Sequence, residues 1–239
     1  MRKLAYMSTP TGLNHSARRI NYLAARLAPE NYLEVGVAAG MTFLGVNIHR
    51  KVAVDPRFRF EFTQHQSDSV SFFQVTSDKY FVEHAGTEKF DIIFLDGLHT
   101  FEQIFRDFCN SLLHCHDQTV WIIDDTIPSD VYSAINDQRK ALQARKDAGG
   151  QSSAWHGDVF KMVFVVHDFF PSFSYCTVIT KGNPQTLIWK QSRNDFQPMF
   201  NNLETISRLN YFDFKENSPI FNLMPEEEGL DLAIAALAR

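Results

Sequence analysis

The chain has 239 residues, a formal net charge of −5, 44% hydrophobic residues and 21% charged ones. That length suits one large domain, or a domain with an appendage, and supports a sizeable core. The acidic balance and the lack of a dense Lys/Arg run argue against a nucleic-acid partner, whose binding rests on a basic face. Three cysteines, Cys109, Cys115 and Cys176, with no CxxC spacing exclude a disulfide framework and fit a reducing cytoplasm. Met1–His15 is basic but lacks the apolar core of a signal peptide, and no run of about 18 apolar residues marks a membrane span. A cytoplasmic location with no membrane partner is the expectation. The 22 phenylalanines read first as core, and second as an aromatic substrate wall or a dimer face.

In chain order, Asn14 or Ser16 caps a first helix, with Ile20, Leu23, Ala24 and Leu27 as its apolar stripe and Pro29 closing it. Residues 32–37 read as the first strand, 36–40 as a turn and 41–49 as a helix. A second strand over 51–54 ends at Asp55-Pro56, and 57–68 is polar and irregular. A short third strand over 71–75 ends at Ser77-Asp78, followed by a short helix over 79–85. The β-branched runs 92–95 and 120–123 read as buried parallel strands. Between them, Phe101, Ile104, Phe105, Phe108 and Leu112 form the apolar stripe of a crossover helix.

Beyond Pro128, residues 129–148 read as a helix, and Gly149-Gly150-Gln151-Ser152-Ser153 as a flexible loop. Residues 157–168 read as a further helix. Segments 173–180 and 186–191 form an antiparallel hairpin over Lys181-Gly182-Asn183-Pro184. A helical stretch, a Phe/Asn/Pro-rich tail and a terminal helix over 226–238 follow, with Glu226-Glu227-Glu228 as its solvated start. The division expected is a domain over 1–191 and a helical tail over 192–239 that packs on the domain or on a second subunit of a homodimer.

The β/α alternation makes this an α/β protein with a mostly parallel sheet. A right-handed crossover brings the exits of the fourth and fifth strands to one sheet edge. Asp96, His99, Asp124 and Asp125 therefore converge where open α/β sheets bind ligands. At the first strand, EVGVAAG supplies Glu34, Gly36 and Gly40, a tight turn that lets a ligand approach the backbone. Asp55, at the end of the second strand, is set to accept hydrogen bonds from ribose hydroxyls. An NAD site is the first alternative, but Ala38 and Ala39 break the Gly-x-Gly-x-x-Gly form. Glu34 would repel a pyrophosphate, whereas S-adenosylmethionine offers a sulfonium and an amine and carries no phosphate. The plainer role for Glu34 is a capping or salt-bridging acid.

With EVGVAAG, VAVDP, SDKYF, FLDGLHTFEQIFRD and IIDDTIP in place, the chain resembles class I S-adenosylmethionine-dependent methyltransferases over about residues 16–191. It is most similar to small-molecule O-methyltransferases of the macrocin type, which act in sugar and natural-product pathways, and its layout is similar to that of catechol O-methyltransferase. The resemblance implies a Rossmann-like fold. Its central, mostly parallel sheet would have seven strands, a C-terminal antiparallel hairpin and helices on both faces. It implies that Glu34, Gly36 and Gly40 line the methionine part of the cofactor, that Asp55 takes the ribose, and that Ser77 and Asp78 sit by the adenine. Asp96 would border the cofactor as well. The segment Trp155–Lys161 also recurs in related sugar-cluster enzymes. Ala38 stands where a glycine is common, and the tail beyond Ser192 matches no part of the family pattern.

Methyl transfer to a hydroxyl needs the oxygen held near the sulfonium methyl and its proton removed. His99, with Asp96 three residues before it, is the candidate base; a local helix-start role is the alternative. Asp96, Asp124 and Asp125 are candidate ligands for Mg²⁺, with capping or backbone bonding by the acid pair as the alternative. Trp155, His156 and Asp158 are candidates for the wall against the acceptor, with packing of Trp155 on the sheet as the alternative. His114-Cys115-His116 reads as a helix end, not a metal site. The function expected is methyl transfer to a small hydroxylated acceptor. The alternatives are a catalytically silent cofactor-binding or scaffolding protein and an NAD-linked enzyme.

Overall fold

The computed structural model describes residues 12–179 and 182–238. The first eleven residues of the segment read as no signal peptide, and Thr180 and Lys181 of the predicted hairpin, lie outside the described residues. In chain order the elements are α1 (His15–Leu27), β1 (Asn31–Val35), α2 (Met41–Gly45), β2 (Arg50–Val54), β3 (Val70–Phe73) and α3 (Ser77–Glu83). Then come β4 (Ile92–Leu95), α4 (Phe101–Ser111), β5 (Val120–Ile123), α5 (Gln138–Asp147), α6 (Lys161–Phe169), β6 (Phe173–Ile179) and β7 (Gln185–Lys190). The C-terminal segment adds α7 (Leu203–Arg208), α8 (Tyr211–Glu216), β8 (Leu223–Pro225) and α9 (Glu226–Leu237).

These build one sheet in the order β3-β2-β1-β4-β5-β7-β6-β8. The strands from β3 to β5 pair in parallel, and β7 runs antiparallel to both β5 and β6. The sheet has eight strands where seven were expected, because β8 adds to the edge parallel to β6. Its three residues, 223–225, are too short for an alternating pattern to mark them. Among the described residues no helix is long and apolar enough to cross a membrane.

Strand alternation divides the core between the two sheet faces. Leu33, Val35, Ile93, Leu95, Trp121 and Ile123 face one layer, which includes Ile104 and Phe108 of α4 and Val163 and Phe164 of α6. Tyr32, Ala53, Phe94, Ile122 and Trp189 face the other, with Ile20 and Leu23 of α1 and Leu230 of α9. Phenylalanines fill much of the first layer. Phe108 packs at 5.6 Å from Trp121 and edge-on to Phe170 at 5.2 Å. Most of the phenylalanine content thus follows the core reading.

Three predicted helices are shorter than their patterns, each for a local reason. α2 stops at Gly45, where Val46 turns extended and Lys51 Nζ takes the carbonyls of Phe43 and Val46. α5 begins at Gln138 instead of 129. Upstream, Asp130 and Ser133 bond each other's amides at 2.7 and 3.0 Å in a closed turn, and Asp137 caps the helix. α6 begins at Lys161 because Gly157, at φ 61°, reverses the chain first. In contrast α3 starts early, at Ser77, capped by Thr76, so Ser77 and Asp78 form its first turn. The loop over 149–153 is fastened, contrary to the flexible reading. The buried Arg145 donates from Nη1 to the carbonyls of Ser152 and Ala154 at 3.1 and 2.7 Å, and from Nη2 to Asp130 at 2.8 Å.

Candidate active site

The sheet order reverses between β1 and β4, and the exits of these strands touch. Gly36 sits at φ 91°, and a Cβ there would lie 1.9 Å from the carbonyl oxygen of Asp96. Only glycine permits that approach. Gly40, at φ 77°, opens α2, and Phe60 lies 2.8 Å from where its Cβ would be. Ala38 adopts φ 46° without the freedom of a glycine, and its amide donates to Asp55 Oδ2 at 2.8 Å. The other oxygen of Asp55 takes the Arg57 amide at 2.6 Å. Asp55 therefore ties the turn after β1 to the turn after β2, and each oxygen keeps a lone pair for a further donor.

Glu34 ends on the α1/α2 side of the sheet, buried, accepting from Tyr32 Oη at 2.6 Å. Burial holds its carboxyl well above the usual range, against the Tyr32 bond and assisted by the Asp96 charge. Ser77 and Asp78 are bound up with α4. Gln103 Nε2 donates to Ser77 Oγ at 3.1 Å and to the buried Asp107 at 2.9 Å, and Arg106 Nε reaches Asp78 at 3.2 Å. Burial pushes the Asp107 carboxyl up to about 6, against bonds from Ser77 and Gln103.

Asp96, His99 and Asp125 meet at the exits of β4 and β5. His99 Nδ1 lies 2.8 Å from Asp125 Oδ2, and His99 Nε2 lies 3.6 Å from Asp96 Oδ1. The imidazole also lies 3.2 Å, through Nδ1, from the Trp155 carbonyl oxygen, and stacks on the Trp155 ring at 4.9 Å and 8°. Burial pulls the His99 pKa down, but bonds and charge from Asp125 and Asp96 prevail and raise it to about 10. Surrounding protein raises the Asp96 carboxyl to about 6, with the Asp125 charge adding to the rise and His99 opposing it.

One ligand atom from each of Asp96, His99 and Asp125 lies within 4.8 Å of the others, a spacing that fits one divalent cation. Two carboxylates and an imidazole suit Mn²⁺, Fe²⁺ or Zn²⁺ as well as Mg²⁺. Asp124, expected as a third carboxylate ligand, is not in this group. It is buried, with Oδ1 accepting the Asp125 amide at 2.8 Å, and burial raises its carboxyl well above normal. Asp125 follows at φ 59°, and this left-handed turn directs its carboxylate to His99.

The Trp155–Asp158 segment divides between roles. Trp155 stacks on His99, and its Nε1 donates to the Ile135 carbonyl at 2.6 Å. His156 Nε2 lies 3.8 Å from Asp125, and its buried Nδ1 has no hydrogen-bond partner among the described residues. Asp158 has a structural role. Its Oδ1 takes the Phe101 amide at 2.7 Å at the start of α4, and its Oδ2 pairs with the buried Lys161 at 2.8 Å. Both oxygens take part in holding α4 to α6. Glu226 is a correction to the sequence reading. It is buried and bound by Arg18 and Arg19, so only the rest of the acidic triplet fits a solvated helix start.

Gly157 and Asn183 are the site residues that the sequence reading missed. A Cβ on Gly157 would lie 1.6 Å from the His99 carbonyl oxygen, so this glycine lets the two loops cross. Asn183 Nδ2 donates to Asp125 Oδ1 at 2.8 Å. The glycine itself, set between His156 and Asp158, was a readable signal for the first, whereas Asn183 in a turn looks like ordinary hairpin chemistry.

The methyltransferase domain family matches residues 33–126, from β1 through the exit of β5. No curated protein sequence matches the chain. Among solved structures, a cofactor-bound protein from MTB superposes with a TM-score of 0.54 at 15% identity, over 80% of this chain and 85% of that one. The O-methyltransferase from Bacillus cereus in complex with SAH gives 0.52 at 17% identity, over 79% and 84%. A putative caffeoyl-CoA O-methyltransferase from Staphylococcus aureus gives 0.51 at 14%, over 75% and 85%. At such identities the likeness is one of fold. Residues 33–126 thus match a methyltransferase domain, and the chain as a whole shares its fold with solved O-methyltransferases.

Proposed function

We propose that the protein transfers a methyl group from S-adenosylmethionine to a hydroxyl of a small, hydroxylated metabolite such as a sugar. The observation that carries this reading is the pair formed by His99 Nδ1 and Asp125 Oδ2 at 2.8 Å, at the exits of β4 and β5 and next to the point where the sheet order reverses. With Nδ1 engaged by a carboxylate, Nε2 is the nitrogen that would take a proton from an acceptor hydroxyl once it has released its own, which the flanking carboxylates hold until a cation arrives beside them. Asp125 orients the ring and stabilises its charged form once the proton arrives. Trp155 offers an apolar face beside it, of the kind that stacks on sugars and aromatic rings.

In this reading the cofactor's methionine part lies over Gly36 and Gly40 with Glu34 beneath, its ribose hydroxyls donate to Asp55, and its adenine lies by Ser77 and Asp78. The sulfonium then adjoins Asp96, whose carboxylate favours a cation. The donor set of Asp96, His99 and Asp125 also fits a divalent cation, and Mg²⁺ is the metal expected for an oxygen acceptor. Such an ion, when bound, would lower the pKa of the acceptor hydroxyl. The bound-sulfonium reading needs no metal, and it is compatible with one.

The test is isothermal titration of S-adenosylmethionine into the purified protein, with and without Mg²⁺, beside an Asp55→Ala control. Saturable binding that is lost in the variant is the expected result, and a screen of hydroxylated sugars for methyl acceptance follows from it. A wild-type protein that takes up no S-adenosylmethionine under either condition overturns the reading.

A further inference from the structure

The turn between β6 and β7 reaches the site from outside the matched domain. Asn183 stands in it, and its Nδ2 donates to Asp125 Oδ1 at 2.8 Å. Its carbonyl oxygen accepts from Arg19 Nη1 at 2.6 Å. Arg19 is fully buried in α1, and its Nε donates to Glu226 Oε2 at 2.8 Å, at the start of α9. Arg18 binds the same carboxylate, with Nη2 donating to Oε2 at 2.9 Å. A continuous polar path thus runs from α9 through α1 and the hairpin to Asp125 and His99.

We propose that Asn183, braced by Arg19, is a positioning residue that sets the carboxylate of Asp125 and, through it, the ring of His99. The proposal rests on the reading of His99 and Asp125 as the acceptor-site pair.

Three features require such a brace. Asp125 sits at φ 59°, where the backbone of a residue with a side chain is not held by its own preference. The terminal torsion of an aspartate is broad, so its oxygens are placed by their partners. Asn183 is the partner on Oδ1 at hydrogen-bond distance, opposite His99 on Oδ2. His99 Nδ1 also has a second acceptor in the Trp155 carbonyl at 3.2 Å, toward which the ring can swing if Asp125 turns away.

The brace is itself constrained. Pro184 follows Asn183 and restricts its backbone to extended conformations. Arg19 Nη2 is buried with no hydrogen-bond partner among the described residues, so Nε and Nη1 hold the guanidinium. Giving up the Asn183 carbonyl would leave a second nitrogen of a buried cation without a partner, and Arg19 therefore resists movement of the turn.

The test uses the full-length protein labelled with ¹⁵N-histidine. The ring N–H proton of His99 is assigned by its loss in His99→Gln and then followed in Asn183→Ala. Asn183 is exposed, so this substitution leaves the fold intact. The expected result is loss of the His99 ring proton to solvent exchange, or a shift of it, with the other histidine signals and the affinity for S-adenosylmethionine unchanged. Arg19→Lys keeps a charge beside Glu226 but lacks the fork that reaches Asn183, and the same signal is expected to weaken. An unmoved His99 signal in Asn183→Ala overturns the proposal, as does a wild-type protein showing no such proton. A wild type that shows the proton but binds no S-adenosylmethionine overturns the proposed function instead, leaving the positioning result to be read by itself.

Discussion

Replacing Gly157 by alanine tests how tightly the loop after α5 is fitted against His99, and Gly86 supplies the control. The two glycines have nearly the same backbone, φ 61° at Gly157 and φ 56° at Gly86. A Cβ in that region costs roughly 1–2 kcal/mol wherever it is placed. At Gly86 nothing lies within 4 Å of the added Cβ, so this backbone strain is the whole effect. At Gly157 the Cβ would lie 1.6 Å from the His99 carbonyl oxygen, 2.7 Å from its carbonyl carbon and 3.0 Å from its Cβ. The obstacle is backbone, so no side chain can swing clear. Overpacking of this kind adds about 1–3 kcal/mol. In a chain of this size 1 kcal/mol lowers the Tm by about 2–4 °C. Gly86→Ala should then lose roughly 4 °C and Gly157→Ala roughly 10 °C, measured by thermal denaturation under one buffer. The displaced His99 should also cost Gly157→Ala its methyl transfer, while Gly86→Ala keeps it. Equal Tm losses in the two variants would refute the close crossing of these loops.

Asp107→Asn should stabilise the protein above pH 6. The Asp107 carboxyl rises from 3.8 to about 6 on folding, so the folded chain binds its proton more tightly than the unfolded one. The stability from that proton is complete below pH 3.8 and is lost as the pH rises through about 6. Asparagine keeps the acceptor for Gln103 and removes the ionisation. Urea unfolding should show the variant ahead by on the order of 1–3 kcal/mol at pH 7 and level with the wild type at pH 4, and no gain at pH 7 would contradict the assignment. Glu226→Gln should act in the opposite direction. Burial raises the Glu226 carboxyl, but Arg18 and Arg19 more than offset this and hold it below its ordinary 4.5. Its contribution is present above pH 4.5 and is lost as the pH falls through the folded value. The variant should lose roughly 3 kcal/mol at neutral pH, with the gap to wild type closing in acid. A pH-independent gap would count against the ion pair.

The strands and the sheet edge were legible because apolar runs followed by acids are local features. Asp96 and Asp125 lie at the exits of β4 and β5, which pair in parallel, so their convergence follows from topology alone. Asn14 as the cap of α1 and Asp55 at the end of β2 likewise depend on neighbours in sequence. The contacts that complete the site do not. Asn183 meets Asp125 across 58 residues, and Arg19 meets Asn183 across 164. Asp158 follows Trp155 and His156 in sequence, and nothing in that run marks its bond to α4. The reversal at Gly157 directs it to the start of α4. Glu226 sits in a run of three glutamates that reads as solvated, and only the fold brings the arginines of α1 to it.

The acid pair after β5 shows how far a sequence pattern can specify chemistry. Alternation along β5 sends Ile122 to the α1 side and Ile123 to the α4 side, so two adjacent acids cannot both continue toward one point. Asp124 stays in the interior, where burial favours its neutral form. Asp125 escapes the alternation through its left-handed backbone and reaches His99. The charges of the cluster are then Asp96 and Asp125 against one imidazole, with Asp124 outside it. With a proton on His99 the cluster carries an excess of one negative charge, which a single sulfonium would neutralise. A cation beside Asp96 also lowers the hold of His99 on its proton. Cofactor binding would therefore move the histidine toward the neutral form that a base requires.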